Sequence, residues 1–311
     1  MTSLLYGTIY AAVAVFLIAC LARAIRYARA PLHLRWELYP VPHEETGRVG
    51  HGGSYFEEVD WWTKPAHFNL LGELKVMLPE MLFLKGLWEF NRKLWWRSFP
   101  FHFGLYLLIA SILLLLLSAL LLIFAPGLMV GRVGAGLHWL CTLTGLAGSV
   151  LAVLGALGLL LRRLTDQALK TCTTPGDILN LVFFIATIGV LSAAYLSRGP
   201  ASPSPLAFTL GLLTFDSGLE IPGLLAAGLI LGALLAAYIP LTHMSHFIAK
   251  YFTYHSVRWD DQPYLRGGDL GRKIAEYLAY RPTWAAPHVG ADGTKTWAEV
   301  ASANPAQRAK K

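Results

Sequence analysis

The stretch FPFHFGLYLLIASILLLLLSALLLIFA, residues 99–125, contains no Asp, Glu, Lys or Arg side chain. About 20 predominantly apolar residues suffice for a helix to cross a bilayer, so this stretch is long enough to span a membrane. Four further apolar segments pass the same test of length, at about 4–22, 134–161, 178–196 and 221–248. The sequence therefore predicts an all-α membrane protein with five transmembrane helices.

The amino-acid composition agrees with this fold class. The chain of 311 residues is 55% hydrophobic and 14% charged, whereas soluble domains carry about 25% charged residues. A signal peptide has its positive charges before its apolar run. Here the leader MTS is neutral and Arg23, Arg26 and Arg29 follow the run, so we expect the first segment to be a retained span.

The basic residues near the helix ends are distributed unequally between the two membrane faces. Only Arg132 and Arg198 flank the spans on one face. The other face receives Arg23, Arg26, Arg29, Arg35, Arg92, Lys93, Arg97, Arg162, Arg163, Lys170, Lys250 and Arg258. Because Lys and Arg concentrate in cytoplasmic loops, we predict the N-terminus outside and the C-terminus in the cytoplasm. This asymmetry accounts for the net charge of +7 without a nucleic-acid partner.

The chain divides into four predicted parts. A first transmembrane helix at 1–22 precedes a cytoplasmic loop at 23–98, a four-helix transmembrane core at 99–256 and a cytoplasmic C-terminal tail at 257–311. The loop begins with RAPLHLRWELYPVPHEE, residues 29–45, which predicts an extended and packed segment. One apolar helical stripe then predicts an amphipathic helix on the membrane surface or against a subunit; its residues are Leu71, Leu74, Leu78 and Leu82.

Shorter signals predict where some helices begin. The sequence TTPGD places Thr174 as an N-cap, Pro175 at the first helical position and Asp177 in the first turn. We therefore interpret Asp177 as a capping residue and not as a proton carrier. One further short helix is predicted in LGRKIAEYLAY, residues 270–280, and a short apolar piece of the outer loop, 206–215, is a candidate to lie in the membrane interface.

The cysteines limit the redox chemistry that the chain performs alone. Cys20, Cys141 and Cys172 are its three cysteines, and none lies in a CxxC pair. This pattern excludes CxxCH attachment of a c-type haem, and three cysteines do not complete a four-cysteine iron–sulfur site. The chain also contains no GxxxxGK[ST] nucleotide motif and no HExxH zinc motif.

Four histidines fall in or at the ends of the predicted spans: His102, His138, His243 and His246. An ionisable residue in the membrane is a functional candidate by default, although a hydrogen bond to another helix is about as common an explanation for a single histidine. The predicted topology places His102, His243 and His246 near the same cytoplasmic face. Histidines on two helices at one depth are what a bis-histidine b-type haem requires.

Basic residues near the same face are candidates for binding the haem propionates, or serve only as topological anchors; they are Arg92, Arg97 and Lys250. His138 lies near the opposite face, too far from His246 to share a haem with it. It is a candidate to line a quinone pocket, to ligate a second haem with an unidentified partner, or simply to bond to a neighbouring helix.

Two helix-end motifs resemble the gamma subunit of respiratory nitrate reductase, a five-span cytochrome b with an external N-terminus. RSFPFHFGLYLL, residues 97–108, is similar to the start of its second helix, and IPLTHMSHFIAKYF, residues 239–252, to the end of its fifth. The resemblance implies that His102 and His246 ligate the haem nearer the cytoplasm. His243 falls where that branch often has an arginine, and it rivals His246 because three residues rotate a helix face by only about 60°.

The chain departs from that family at the second haem. The positions of the other two histidines are here Ile112 and Gly228. A second haem in the usual place is therefore not expected, and His138 is a candidate for a different solution.

Several loop phrases resemble a sub-branch, the membrane subunits of heterodisulfide-reductase-like menaquinone oxidoreductases of sulfate-reducing bacteria. The phrases are LRWELYPVPHE (34–44), SYFEEVDWWTK (54–64), LKGLWEFNR (84–92) and WAAPHVGADGTKTWAEVA (284–301). In that group a cytoplasmic iron–sulfur subunit docks on the cytochrome b, and periplasmic multihaem cytochromes c join some complexes. The resemblance implies one or two b-type haems, menaquinone and a multi-pass location in the bacterial inner membrane.

The resulting hypothesis is a cytochrome b subunit that transfers electrons between menaquinone and redox subunits at the membrane faces. The first alternative is a haem-free membrane anchor for a soluble redox enzyme. The second is a small-solute permease that uses His138 and His243. The near absence of charged residues inside the helices argues against a permease.

Overall fold

A computed structural model of the protein describes residues 2–30, 41–44, 54–65, 69–260, 265–282 and 290–304, together with the single residues 47 and 263. In these ranges the secondary structure is helical, without a β-strand. The helices are α1 (Thr2–Ala28), α2 (Leu70–Phe83), α3 (Lys85–Phe90), α4 (Arg92–Phe124), α5 (Pro126–Met129), α6 (Arg132–Thr165), α7 (Gln167–Lys170), α8 (Pro175–Leu196), α9 (Pro205–Thr214), α10 (Gly223–Tyr238), α11 (His246–Phe252), α12 (Asp269–Leu278) and α13 (Trp297–Ser302).

Among the described residues five helical segments are long and apolar enough to cross a membrane. They are α1, α4, α6, α8 and Gly223–Leu241, which consists of α10 and the 3₁₀ turn that follows it. The prediction of an all-α fold with five helices long and apolar enough to span a membrane is confirmed. The short helix predicted at 270–280 is present as α12, and the apolar piece at 206–215 forms the helix α9. The extended segment predicted at 29–45 lies mostly outside the described residues.

The last span ends earlier than predicted. α10 stops at Tyr238, and two single 3₁₀ turns, Ile239–Leu241 and His243–Ser245, separate it from α11. Pro240 lies in the first turn, and a proline has no N–H to donate and clashes with the preceding helical turn. The predicted segment 221–248 is therefore wrong at its C-terminal end, and the 60° relation between two histidines of one helix does not apply.

The chain divides into two compact units, one formed by Met1–Cys20 and Glu73–Ser245, the other by Leu21–Gly72 and His246–Lys311. In the first unit α4 packs along α6, α6 against α8, and α8 against α10. Their buried apolar side chains form one core cluster of Phe101, Ala152, Ala156, Leu181, Phe184, Ile188 and Leu235. Among the described residues α4 and α10 share no extensive contact, so they do not pack together as neighbouring helices.

Small residues bring α4 and α6 into backbone contact. A Cβ added at Gly104 would lie 2.8 Å from the Cα of Ala152, and a Cβ added at Gly155 would lie 2.6 Å from the Cα of Phe101. Ala152 has no exposed surface at all. Membrane helices associate through such close packing because lipid offers no hydrophobic driving force between them. We call this contact the glycine seam.

α1 is held to the first unit by hydrogen bonds near its N-terminus. Tyr10 donates its hydroxyl proton to the carbonyl oxygen of Leu212 at 2.6 Å, and Thr2 donates to that of Leu219 at 2.8 Å. The ring of Tyr6 also packs edge-on against Phe208 of α9. Each phenol thus satisfies its polar group at a helix end while its ring stays among apolar side chains.

The amphipathic helix predicted in the loop is present as α2, and its leucine stripe faces outward. Leu71, the most exposed of the four stripe leucines, exposes 71% of its surface, whereas Glu73 and Met77 on the other side are buried. The hydroxyl of Tyr106 on α4 donates to the carbonyl oxygen of Met81 at 2.7 Å. An apolar stripe that faces away from the protein is what a helix lying at a membrane surface presents.

The second unit is organised around a buried carboxylate. Glu44 is 1% exposed, and its side chain accepts hydrogen bonds from the hydroxyl of Ser54 at 2.8 Å and from the backbone N–H groups of Val41 and Tyr55 at 3.2 Å. A buried charge is tolerated when it is hydrogen-bonded in this way. Trp259 is also fully buried there, against the ring of Tyr254.

Candidate functional site

His102 lies on α4 with its ring held by the preceding turn. Its Nδ1 is 2.8 Å from the carbonyl oxygen of Ser98 and 3.3 Å from the hydroxyl of the same residue. A carbonyl oxygen only accepts hydrogen bonds, so Nδ1 carries the proton in this contact. In the neutral ring Nε2 then has the lone pair, which is the tautomer that ligates a metal through Nε2.

His102 and Arg97 lie on different sides of α4. The side chain of Arg97 rests against Gly158 of α6, where an added Cβ would lie 3.4 Å from its Cγ. Phe101 faces α6 one turn later, and consecutive residues are rotated by about 100° around a helix. His102 therefore points away from the glycine seam, whereas Arg97 lies along it and donates a hydrogen bond from Nη1 to the carbonyl oxygen of Lys93 at 2.7 Å.

His243 belongs to a polar cluster with α8 and α10. Its Nε2 lies 3.2 Å from Nδ2 of Asn180 and 3.7 Å from Oδ1 of Asp177. Asn180 is buried, and its Oδ1 accepts a hydrogen bond from the hydroxyl of Tyr238 at 2.9 Å. The amide nitrogen only donates, so Nε2 of His243 is the acceptor in this contact.

Asp177 is the capping residue that the sequence predicts, and it also has charged neighbours. It forms a capping box with Thr174, whose backbone N–H and hydroxyl both donate to Oδ2 at 2.9 Å. Nη1 of Arg163 on α6 lies 3.5 Å from the same oxygen. The carboxylate therefore links the end of α6, the start of α8 and the turn that carries His243.

The remaining predicted site histidines lie elsewhere. His246 is the exposed first residue of α11 and is assigned to the second unit, whereas His102 and His243 belong to the first. His138 is exposed on α6. Ser111 donates to the carbonyl oxygen of Cys141 at 3.0 Å, which makes those residues level and puts His138 roughly 18 Å along the helix axis from His102. These two histidines are too far apart to share one haem.

Sequence reasoning missed Asn180 and Tyr238. The signal for Asn180 was present, since it is an amide inside an otherwise apolar span. Within the described ranges no group of three or more His, Cys, Asp or Glu side chains is arranged to hold a metal ion. A bis-histidine haem needs only two imidazoles from the protein, so this finding does not test the predicted ligands.

Replacing Asn180 by leucine is expected to lower the free energy of unfolding by about 1 kcal/mol. The variant removes the side-chain contacts to Tyr238 and His243, and a hydrogen bond between membrane helices contributes about 0.6 kcal/mol. Thermal unfolding of the purified protein in detergent measures the change. Thr187→Val on the same helix is the matched control, because the buried hydroxyl of Thr187 has no hydrogen-bond partner in the described part of the chain. Equal losses in both variants would contradict the assigned role of Asn180.

Comparisons of this chain with protein-family models, curated proteins and solved structures found no match. The resemblance to nitrate reductase gamma subunits and to menaquinone oxidoreductase membrane subunits therefore stays a prediction. The side chains of the chain itself are the guide to its function.

Proposed function

We propose that this protein is the cytochrome b membrane subunit of a respiratory complex in a bacterial inner membrane. It passes electrons between menaquinone and a cytoplasmic iron–sulfur subunit that resembles heterodisulfide reductase. The proposed topology has the N-terminus outside, as the distribution of Lys and Arg favours. The proposal also includes a periplasmic multihaem cytochrome c as a further partner of this subunit.

The observation that carries the proposal is the state of His102. The contact between its Nδ1 and the carbonyl oxygen of Ser98 selects the tautomer in which Nε2 is the basic nitrogen. Histidines that ligate metals characteristically donate their other N–H to a carbonyl or carboxylate, which orients the ring. A b-type haem, when bound, supplies reversible one-electron transfer. This chain supplies the imidazole of His102, whose ring orientation is fixed by the contact with Ser98.

The second proposed ligand is His246, with His243 beside the cofactor or the quinone. The family resemblance favours His246 over His243, whose Nε2 lies within hydrogen-bond distance of Asn180 and close to Asp177. The absence of extensive packing between α4 and α10 is compatible with a cofactor between the second and fifth spans. Arg97 lies on the α6 side of α4, so the proposal does not assign it to the propionates.

The cysteine count supports the proposed division of labour. Cys20 and Cys141 lie in α1 and α6, and Cys172 lies in the turn before α8. Three cysteines do not provide the four ligands of a four-cysteine iron–sulfur cluster, so the proposal assigns the iron–sulfur chemistry to the partner subunit. The structured second unit offers folded surface outside the four-helix core for such a partner.

A reduced-minus-oxidised absorbance spectrum of the purified protein tests the proposal. The expected result is a b-type α band, with at least one haem per chain in a pyridine haemochrome assay. A count of two would require a ligand other than the family's usual histidines, whose positions are Ile112 and Gly228 here. A preparation that is folded and helical but has no b-type band would refute the cytochrome function and favour the haem-free anchor.

A further inference from the structure

A groove with basic side chains lies where α4 begins and α6 ends. It has a volume of about 420 Å³. Its lining residues are Asn91, Lys93 and Arg97 from the start of α4 and Gly158, Leu161, Arg162, Thr165 and Asp166 from the end of α6. We call it the basic groove. All of it belongs to the first unit, and it lies at the ends of two membrane-spanning helices.

Positive charge dominates the basic groove. Three cationic side chains face one carboxylate, and that carboxylate is already engaged, since Nε of Arg162 lies 3.6 Å from Oδ2 of Asp166. Lys93 and Arg97 are both exposed, and no acidic side chain other than Asp166 lines the groove. The remaining cationic charge favours an anion. The amide nitrogen of Asn91 adds a donor for its oxygen atoms, since Oδ1 of Asn91 already accepts from the N–H of Leu94.

The absence of a side chain at Gly158 keeps the groove open. The carbon chain of Arg97 lies over this position, with its Cγ 3.4 Å from the place of an added Cβ. A larger residue at this position would occupy the space between the two helices. The groove therefore depends on a small residue as well as on its charges.

Apolar surface adjoins the groove on α6. Leu161, which lines it, is 60% exposed, and Leu157 and Leu164 on neighbouring turns are also exposed. A ligand that fits both features has an anionic head beside the cations and an apolar body along these leucines. A soluble anion would use only the first feature, and an acidic protein surface would leave the apolar one unused.

We propose that the basic groove binds the phosphodiester headgroup of an anionic phospholipid, with phosphatidylglycerol as the probe. Basic pockets between transmembrane helices are suited to such headgroups, and each Lys or Arg near an anionic membrane surface contributes about 1 kcal/mol. The headgroup phosphate lies beside Lys93, Arg97 and Arg162, and the acyl chains follow the exposed leucines of α6. This binding site does not depend on the proposed cofactor.

Native mass spectrometry of the full chain with phosphatidylglycerol and phosphatidylcholine tests the proposal. We expect preferential retention of phosphatidylglycerol by the wild-type protein. Lys93→Gln is expected to weaken this retention about fivefold, which corresponds to one surface cation. Gly158→Leu is expected to abolish the preference without changing any charge, because the added side chain fills the groove.

Arg132→Gln is the matched control, since Arg132 begins α6 at its other end and the substitution also removes one cation. We expect it to retain phosphatidylglycerol like the wild type. Equal retention by the wild type, Lys93→Gln and Gly158→Leu would overturn the proposal. Displacement of the lipid by inorganic phosphate at equal concentration would also overturn it, because the site would then bind a free anion.

Discussion

The His102→Ala variant is expected to lose the low-spin b-type absorbance signal of the purified protein, and His246→Ala is expected to lose the same signal. In the proposal His102 and His246 would each supply one imidazole to the haem iron, and each variant removes one of these two ligands. The contact with the Ser98 carbonyl oxygen orients the His102 ring. Alanine at this position has neither the ligating nitrogen nor this contact. Difference spectra and electron paramagnetic resonance of each variant provide the measurement.

His138→Ala is the matched control for these two variants. His138 is an exposed histidine of α6, about 18 Å along the axis from His102, and its loss should leave the signal intact. Circular dichroism of every variant establishes that the helices have formed. A signal that survives His246→Ala and disappears in His243→Ala would identify His243 as the ligand, in contradiction to the present assignment.

Gly155→Ala is expected to lower the free energy of unfolding by about 1–3 kcal/mol, the usual cost of overpacking a tight interface. The added Cβ would collide with the backbone nitrogen of Phe101 and lie 2.6 Å from its Cα. No rotamer change relieves a clash with backbone, so α4 and α6 have to separate. That movement also loosens the packing around Ala152 and Ala156, which are fully buried. Thermal or detergent-induced unfolding measures the loss.

Gly136→Ala is the matched control for the glycine seam. Gly136 lies on the same helix as Gly155, and a Cβ added there meets no atom within 4 Å. Alanine is favoured over glycine in a helix by about 0.5–1 kcal/mol, so this variant should be as stable as the wild type or slightly more so. The two substitutions are thus expected to change the free energy of unfolding in opposite directions. A similar effect of both would show that the seam does not control stability.

The sequence predicted the parts of the fold that depend on local chemistry. Five spans follow from the lengths of the apolar runs, and the start of α8 follows from the hydrogen-bonding preferences of Thr174 and Asp177. These signals act within one segment, so a single sequence carries them. The end of the last span was missed because the apolar run continues past Pro240, although the effect of proline on a helix is also local.

The candidate site was less predictable because its contacts depend on how helices are rotated against one another. The meeting of Asn180, Tyr238 and His243 requires the pairing of α8 with α10, which no residue pattern specifies. Arg97 likewise points toward α6 because of how α4 and α6 pack at the glycine seam. Its closeness to His102 in the sequence did not reveal this orientation. The charge pattern identified the basic end of the spans, but not the groove formed there.

The glycine seam also bears on how the chain is made. α4 and α6 follow each other closely, joined only by residues 125–131, and the contacts of Gly104 and Gly155 lie between these two helices alone. Helices that are each stable in a bilayer associate after insertion. The pair is therefore complete as soon as α6 has left the translocon, before α8 and α10 are synthesised. A truncated chain that ends at Thr165 and has been released into the membrane should already contain a protease-resistant hairpin of α4 and α6.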